Sequence, residues 1–211
     1  MSALADLRVA SIETLAFPLV PRAGAADDAW LAATAKELSA LRARLVRGRV
    51  TLVPLMAAAR MRAYPDEVLG SPALALLPDA RRTALGGALK SLTKAEIAKA
   101  RRAWLSQAAF LKQFVRSGGR VAAGSGFAWR GYPPPGIGVH IELAALVAAG
   151  LTAPDAVRAA TSQAAAMAGL SKEFGLVAPG IEANLLIVQG DPLRRIEDLR
   201  SITTVIRAGE V

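Results

Sequence analysis

The side chains of this 211-residue chain that can do chemistry are few, and their types limit what that chemistry can be. There is one histidine, His140, and no cysteine. A single imidazole cannot build a His-rich metal centre, and without thiols there are no disulfides and no thiolate ligands. Serines are available, but a Ser-His-Asp triad has to recruit His140, and no G-x-S-x-G elbow occurs; Gly124-Ser125-Gly126 is not one. Gly136-Ile137-Gly138 lacks the third glycine and the preceding strand of a dinucleotide fingerprint, and no phosphate-binding P-loop is present. Asp191 precedes Pro192 and reads as a side chain that caps a turn. Glu142, two residues beyond His140, reads as an exposed or ion-paired helix residue. A richer stretch is the aromatic and arginine-bearing segment FAWRGY. There Trp129, Arg130 and Tyr132, with Ser125 before them and His140 after, form a candidate binding group for a small carboxylate or amide ligand.

The elements that must position these residues are legible from periodicity and punctuation. Residues 9–15 (VASIETL), 50–55 (VTLVPL) and 120–124 (RVAAG) are short, apolar and β-branched, and predict strands. Leu31, Ala35, Leu38, Leu41 and Leu45 recur at helical spacing, which predicts one helix capped by Asp27 or Asp28 and ended at Gly48. Residues 56–91 predict short helical pieces broken at Pro65, Gly70, Pro72, Pro78 and Gly86-Gly87, a pattern suited to a rim or lid. Thr93 caps a long helix carrying Ile97, Trp104, Leu111 and Val115 on one face, closed by Gly118-Gly119. Thr152 caps another, with Pro154 in its first turn, Asp155 three residues on, and Val157, Ala160, Ala164 and Met167 on one face. Pro179-Gly180 turns the chain into the strand Leu185-Leu186-Ile187-Val188, which Gly190-Asp191-Pro192 ends; a last strand covers residues 202–207. Strands alternating with helices predict an α/β protein with a parallel sheet.

The stretch from Gly138 to Leu193 resembles the C-terminal end of the metal-dependent amidohydrolase superfamily, in its imidazolonepropionase-like and prolidase-like branch. Relatives carry phrases like LHRELELLVEAGLTPLEALRAAT, and then G.I.PG..ADLVVL.GDPL.DI. This chain reads VHIELAALVAAGLTAPDAVRAAT, GLVAPGIEANLLIV and GDPLRRIEDL. The resemblance implies a partial (β/α)8 TIM barrel over residues 1–172, with the three strands as equivalents of barrel strands six to eight. It also implies a C-terminal β element over residues 173–211, belonging to the family's small β-sandwich. Three such strands alone leave two unpaired sheet edges, so a homo- or hetero-oligomer is expected, with an amidohydrolase-like partner chain as one form of it, unless the chain covers those edges itself.

The same resemblance implies the family's chemistry and locates its ligands. The family hydrolyses carbon–nitrogen bonds with Zn or another divalent metal, held by histidines, a carboxylate or modified lysine, and an aspartate after strand eight. The strand-six phrase SIEH is SIET here, so Thr14 stands where a metal-binding histidine is expected. The strand-eight phrase GTD is GSG, so Gly126 stands where the proton-accepting aspartate is expected. His140 matches a histidine outside the metal set. The loop after Gly126 is then a ligand-binding segment or a plug over the barrel interior. Three readings follow: a pseudoenzyme or truncated form with no metal in this chain alone, a non-catalytic or complementing subunit of a heteromeric hydrolase, or a plain interaction module.

The balance of 26 Lys and Arg against 17 Asp and Glu gives a formal net charge of +9. The basic residues are scattered through the predicted helices with no RNA-binding aromatic signature, so solvated faces are expected and not nucleic-acid binding. Mean hydropathy is +0.35, yet no run of eighteen or more uncharged apolar residues occurs, so no membrane span is expected. The N-terminus lacks a basic and then apolar leader pattern, which makes the cytoplasm the default location.

Overall fold

The computed structural model describes residues 11–13, 26–126 and 136–211. Three short strands, β1 (Ser11–Glu13), β2 (Thr51–Val53) and β3 (Arg120–Val121), form a parallel sheet in the order β1-β2-β3. Ile12 lies opposite Leu52, and Leu52 opposite Val121. Every residue of β2 is buried, as expected for a strand hydrogen-bonded on both sides and covered by helices. The α/β class and parallel arrangement expected from the alternating pattern are therefore present.

Between β1 and β2 lie α1 (Ala26–Ala32) and α2 (Ala35–Arg47), where one helix was expected. Asp27 and Asp28 sit inside α1, and the second start belongs to Thr34. Its hydroxyl accepts from the Glu37 N–H at 3.2 Å, while the Glu37 carboxylate accepts from the Thr34 N–H at 2.8 Å. This reciprocal capping box starts a new helix and resets its phase. The same device opens the longest helix, α6 (Lys94–Arg116), where Thr93 and Glu96 cap each other as the sequence predicted for Thr93.

Residues 56–90 fold into α3 (Met56–Ala63), α4 (Pro65–Leu69), a 3-10 turn (Pro72–Leu76) and α5 (Asp79–Lys90). The expected breaks at the prolines and at Gly70 are present. Gly86 and Gly87, however, run inside α5; one glycine costs a helix only about 1 kcal/mol, which the surrounding burial offsets. Leu85 and Leu89 of α5 join Met61, Val68, Leu74 and Leu77 in an apolar cluster of their own.

The main core lies between β2, α1, α3, α6 and two helices further on, α7 (Gly138–Ala148) and α8 (Ala153–Ala160). Trp30 meets Phe110 edge-on, with ring centroids 5.4 Å apart, and Phe110 stacks on Phe114 at 6.2 Å. Gly119 follows because the Phe114 ring lies 2.5 Å from where a Cβ would sit.

Thr152 caps α8 as expected, its hydroxyl accepting from the Asp155 N–H at 3.2 Å. The expected continuous face of Val157, Ala160, Ala164 and Met167 is not the buried one. The helix breaks at Thr161 (φ −122°, ψ −97°) into α8 and α9 (Ser162–Met167), and the buried residues are Ala153, Ala156, Ala159 and Ala165. That break bears on the outer edges of the sheet, one of which finds acceptors within the chain. The Val121 N–H donates to Oε1 of Gln163 at 2.7 Å, and the Ala123 N–H donates to the Ala159 carbonyl at 2.9 Å. The interrupted helix therefore supplies acceptors to the outer edge of β3. Small alanines let its backbone come close enough to do so.

β4 (Leu185–Val188) and β5 (Ile202–Ile206) form a separate antiparallel pair. Leu186, Ile187 and Val205 are each more than half exposed on it. A second 3-10 turn (Ile196–Arg200) ties this region to α7 and α8 through the buried Ile196. Asp191 caps its turn as expected, Oδ1 accepting from the Leu193 N–H at 3.0 Å.

Candidate functional site at the strand ends

In a parallel α/β sheet, chemistry collects beyond the carboxyl ends of the strands, where the loops converge. Here that end is formed by Pro54-Leu55 after β2 and by residues 122–126 after β3. Gly126 has φ +58°, the left-handed region, and a Cβ built on it lies 3.1 Å from Cδ1 and 3.3 Å from Cδ2 of Leu55. Gly124 is equally confined, its Cβ position falling 2.4 Å from Cγ1 of Val53. The space in which a strand-end carboxylate would begin is held by an isobutyl group. Leu55 itself is left-handed (φ 52°, ψ 46°), which for a branched side chain costs about 1–3 kcal/mol.

The two residues after Leu55 are bonded to Glu142, the feature the sequence reading missed. Glu142 is neither exposed nor ion-paired: its exposure is 0%. Oε1 accepts from the Met56 N–H at 2.9 Å and Oε2 from the Ala57 N–H at 2.7 Å. Leu55 provides no side-chain cap for α3, so the carboxylate arriving from α7 satisfies the first two N–H groups of that helix. Burial pushes the Glu142 carboxyl up to about 7, against the pull of the two N–H bonds. A signal was present: Glu142 is one helical turn from the buried Gly138 and Leu146, a lone carboxylate on a helix that is apolar all round.

The residues expected to gather at this end do so only in part. Ser125 is half-buried between Gly124 and Gly126. His140 opens α7, half-buried, with its Nδ1 shielded from solvent and without a partner among the described residues. Burial, and then the Arg200 charge, hold its pKa below the usual imidazole value. No hydrogen bond joins Ser125 to His140 among the described residues. Thr14, Trp129, Arg130 and Tyr132 lie outside the described residues. Two concavities open elsewhere. One of about 270 Å3 is lined by residues of the 176–185 segment, and one of about 330 Å3 lies at the opposite end of the sheet beside Arg49 and Arg120.

Among the described residues the donor set does not fit the metal centre that the resemblance implied. Among the described residues no three His, Cys, Asp or Glu side chains come together. The buried carboxylate of Glu142 is spent on backbone N–H groups. No helix among the described residues is long and apolar enough to cross a membrane.

The geometry defines a parallel α/β protein whose described strand-end residues after β2 and β3 are mostly apolar or glycine. Residues 91–211, more than half of the chain, match the model of the amidohydrolase family, and the chain belongs to that family. Its fold is similar to that of a Xaa-Pro dipeptidase with methionine bound in its active site (TM-score 0.62, 17% identity, 97% of this chain and 40% of that one). It is also similar to a prolidase complexed with N-methylphosphonate-L-proline (TM-score 0.51, 18% identity, 81% of this chain and 36% of that one). Molinate hydrolase shows the same likeness (TM-score 0.51, 15% identity, 81% and 34%). The chain thus spans two fifths or less of the length of these structures, and at such identities the likeness concerns fold, which fits a partial barrel. No curated protein matches the chain.

Proposed function

We propose that this chain is an amidohydrolase-family protein that does not hydrolyse carbon–nitrogen bonds by itself, a pseudoenzyme or a truncated form. On this reading β1, β2 and β3 correspond to barrel strands six to eight, and residues 173–211 to the β-sandwich. The family's reaction needs a divalent metal that activates water, and a carboxylate that takes the water's proton. Thr14 and Gly126 offer neither an imidazole nor a carboxylate. The observation that carries the reading is Gly126, left-handed and placed where an added Cβ would meet the methyl groups of Leu55 at 3.1 and 3.3 Å. The test is metal analysis of the purified chain, followed by assay on Xaa-Pro dipeptides, amides and lactams with Zn or Mn added. We expect substoichiometric metal and no turnover. Hydrolysis by the chain alone that a chelator abolishes would sink the proposal.

A second reading is a non-catalytic or complementing subunit of a heteromeric hydrolase. The apolar side chains left exposed on β4 and β5 favour it. The acceptors that Gln163 and Ala159 supply to β3 weigh against strand addition at that edge. Affinity purification from the native host discriminates the two. A stoichiometric amidohydrolase-like partner supports the subunit, and a chain that comes alone supports the self-contained form.

A further inference from the structure

We propose that Glu142 is a protonation-dependent latch, which ties α7 to the start of α3 and thereby seats Leu55 over the ends of β2 and β3. The inference goes beyond the catalytic reading and does not depend on it. Three observations carry it. The carboxylate reaches across more than eighty residues of sequence to two consecutive backbone N–H groups, at 2.9 and 2.7 Å. Those groups have no local cap, because Leu55 is left-handed and offers no acceptor side chain. The Leu55 methyl groups in turn occupy the space above Gly126. Releasing the carboxylate leaves both N–H groups unpaired and removes the restraint that keeps a leucine in a region it disfavours.

The charged neighbours leave Glu142 without a counter-ion. On α3, Arg60 pairs with Glu67 and Arg62 with Asp27. On α8, Arg158 pairs with Asp155. The 3-10 turn carries Glu197, Asp198 and Arg200, and α7 itself carries His140. None of these contributes to the balance at Glu142, which is set by burial against its two N–H donors. The folded protein holds the Glu142 proton more tightly than an exposed carboxyl does. The closed state is therefore favoured below the ordinary carboxyl value, and the advantage is lost as the pH rises through about 7. Ionisation favours a hydrated carboxylate, so the latch loosens in the alkaline direction.

The experiment is amide hydrogen exchange on the full chain between pH 5.5 and 8.5, corrected for intrinsic rates, with Leu111 and Phe114 of α6 as markers of global unfolding. The Met56 and Ala57 amides should open more often than those markers. Their opening constant should rise by up to about tenfold per pH unit up to about 7, level off above it, and be flat with pH in Glu142→Gln. First-turn amides that exchange only with the α6 markers would overturn the latch, as would a slope unchanged in Glu142→Gln. Should that variant not fold, carboxyl 13C titration of the wild type decides. A Glu142 midpoint near 7 supports the latch, and one below 5 overturns it.

Discussion

At the scale of single residues, Glu142 concentrates the polar energetics of the interior. A carboxyl whose folded-state value is raised contributes stability that is complete below its unfolded value near 4.5 and is lost as pH rises through about 7. Its effect on global stability is thus opposite in sign to that of an ordinary surface carboxylate such as Asp155, which Thr152 and Arg158 hold low. Chemical denaturation is expected to show stability falling by up to about 3 kcal/mol between pH 4.5 and 8, and a flatter profile in Glu142→Gln. A wild-type profile that rises across this window would contradict the burial of an unpaired carboxyl. Gly126 and Leu55 show the complementary point. A side chain begun at Gly126 would meet the Leu55 methyl groups, and the glycine fits its left-handed turn without strain.

At the scale of elements, the interrupted helix α8–α9 does what a neighbouring strand would do. Thr161 departs from helical geometry, so the Ala159 carbonyl is free to accept from β3, and Gln163 sits where its amide oxygen reaches the next inward N–H. Val121 is buried, so its N–H cannot turn to water if that acceptor is removed. Gln163→Leu is therefore expected to cost about 1–3 kcal/mol, read by thermal melting. A change below a few tenths of a kcal/mol would mean that the edge is satisfied otherwise. The long helix α6 is the element on which α1 and α3 rest. Its ends are set locally, by Thr93 and Glu96 at the start and by Gly118 at the close.

At the scale of the whole molecule, the parallel sheet is enclosed by helices on its β3 side, while the β4–β5 pair shows apolar side chains to solvent. If that pair is an assembly surface, light scattering will give a mass above the 21.9 kDa of one chain, and Val205→Lys will lower it. A wild-type chain already monodisperse at one-chain mass would count against assembly through this face. Most of the described Lys and Arg residues lie on helices, and several are occupied by Glu67, Asp27, Asp28 and Asp155.

The amino-acid sequence by itself determined the features that depend on neighbours in the chain. The caps at Thr93 and Thr152, the stops at Gly48 and Gly190, the turn role of Asp191 and the apolar strands are all decided within a few residues, by backbone preference and local hydrogen bonding. It also carried the family membership, in the phrase from His140 to Leu193. The tertiary structure alone decided what depends on partners far away in sequence: that Gln163 serves β3, that Leu55 fills the space at Gly126, and that Glu142 is buried. A glutamate in a helix is ordinarily solvated, and only a helix start without its own cap, brought within 3 Å by packing, makes burial the better place for it.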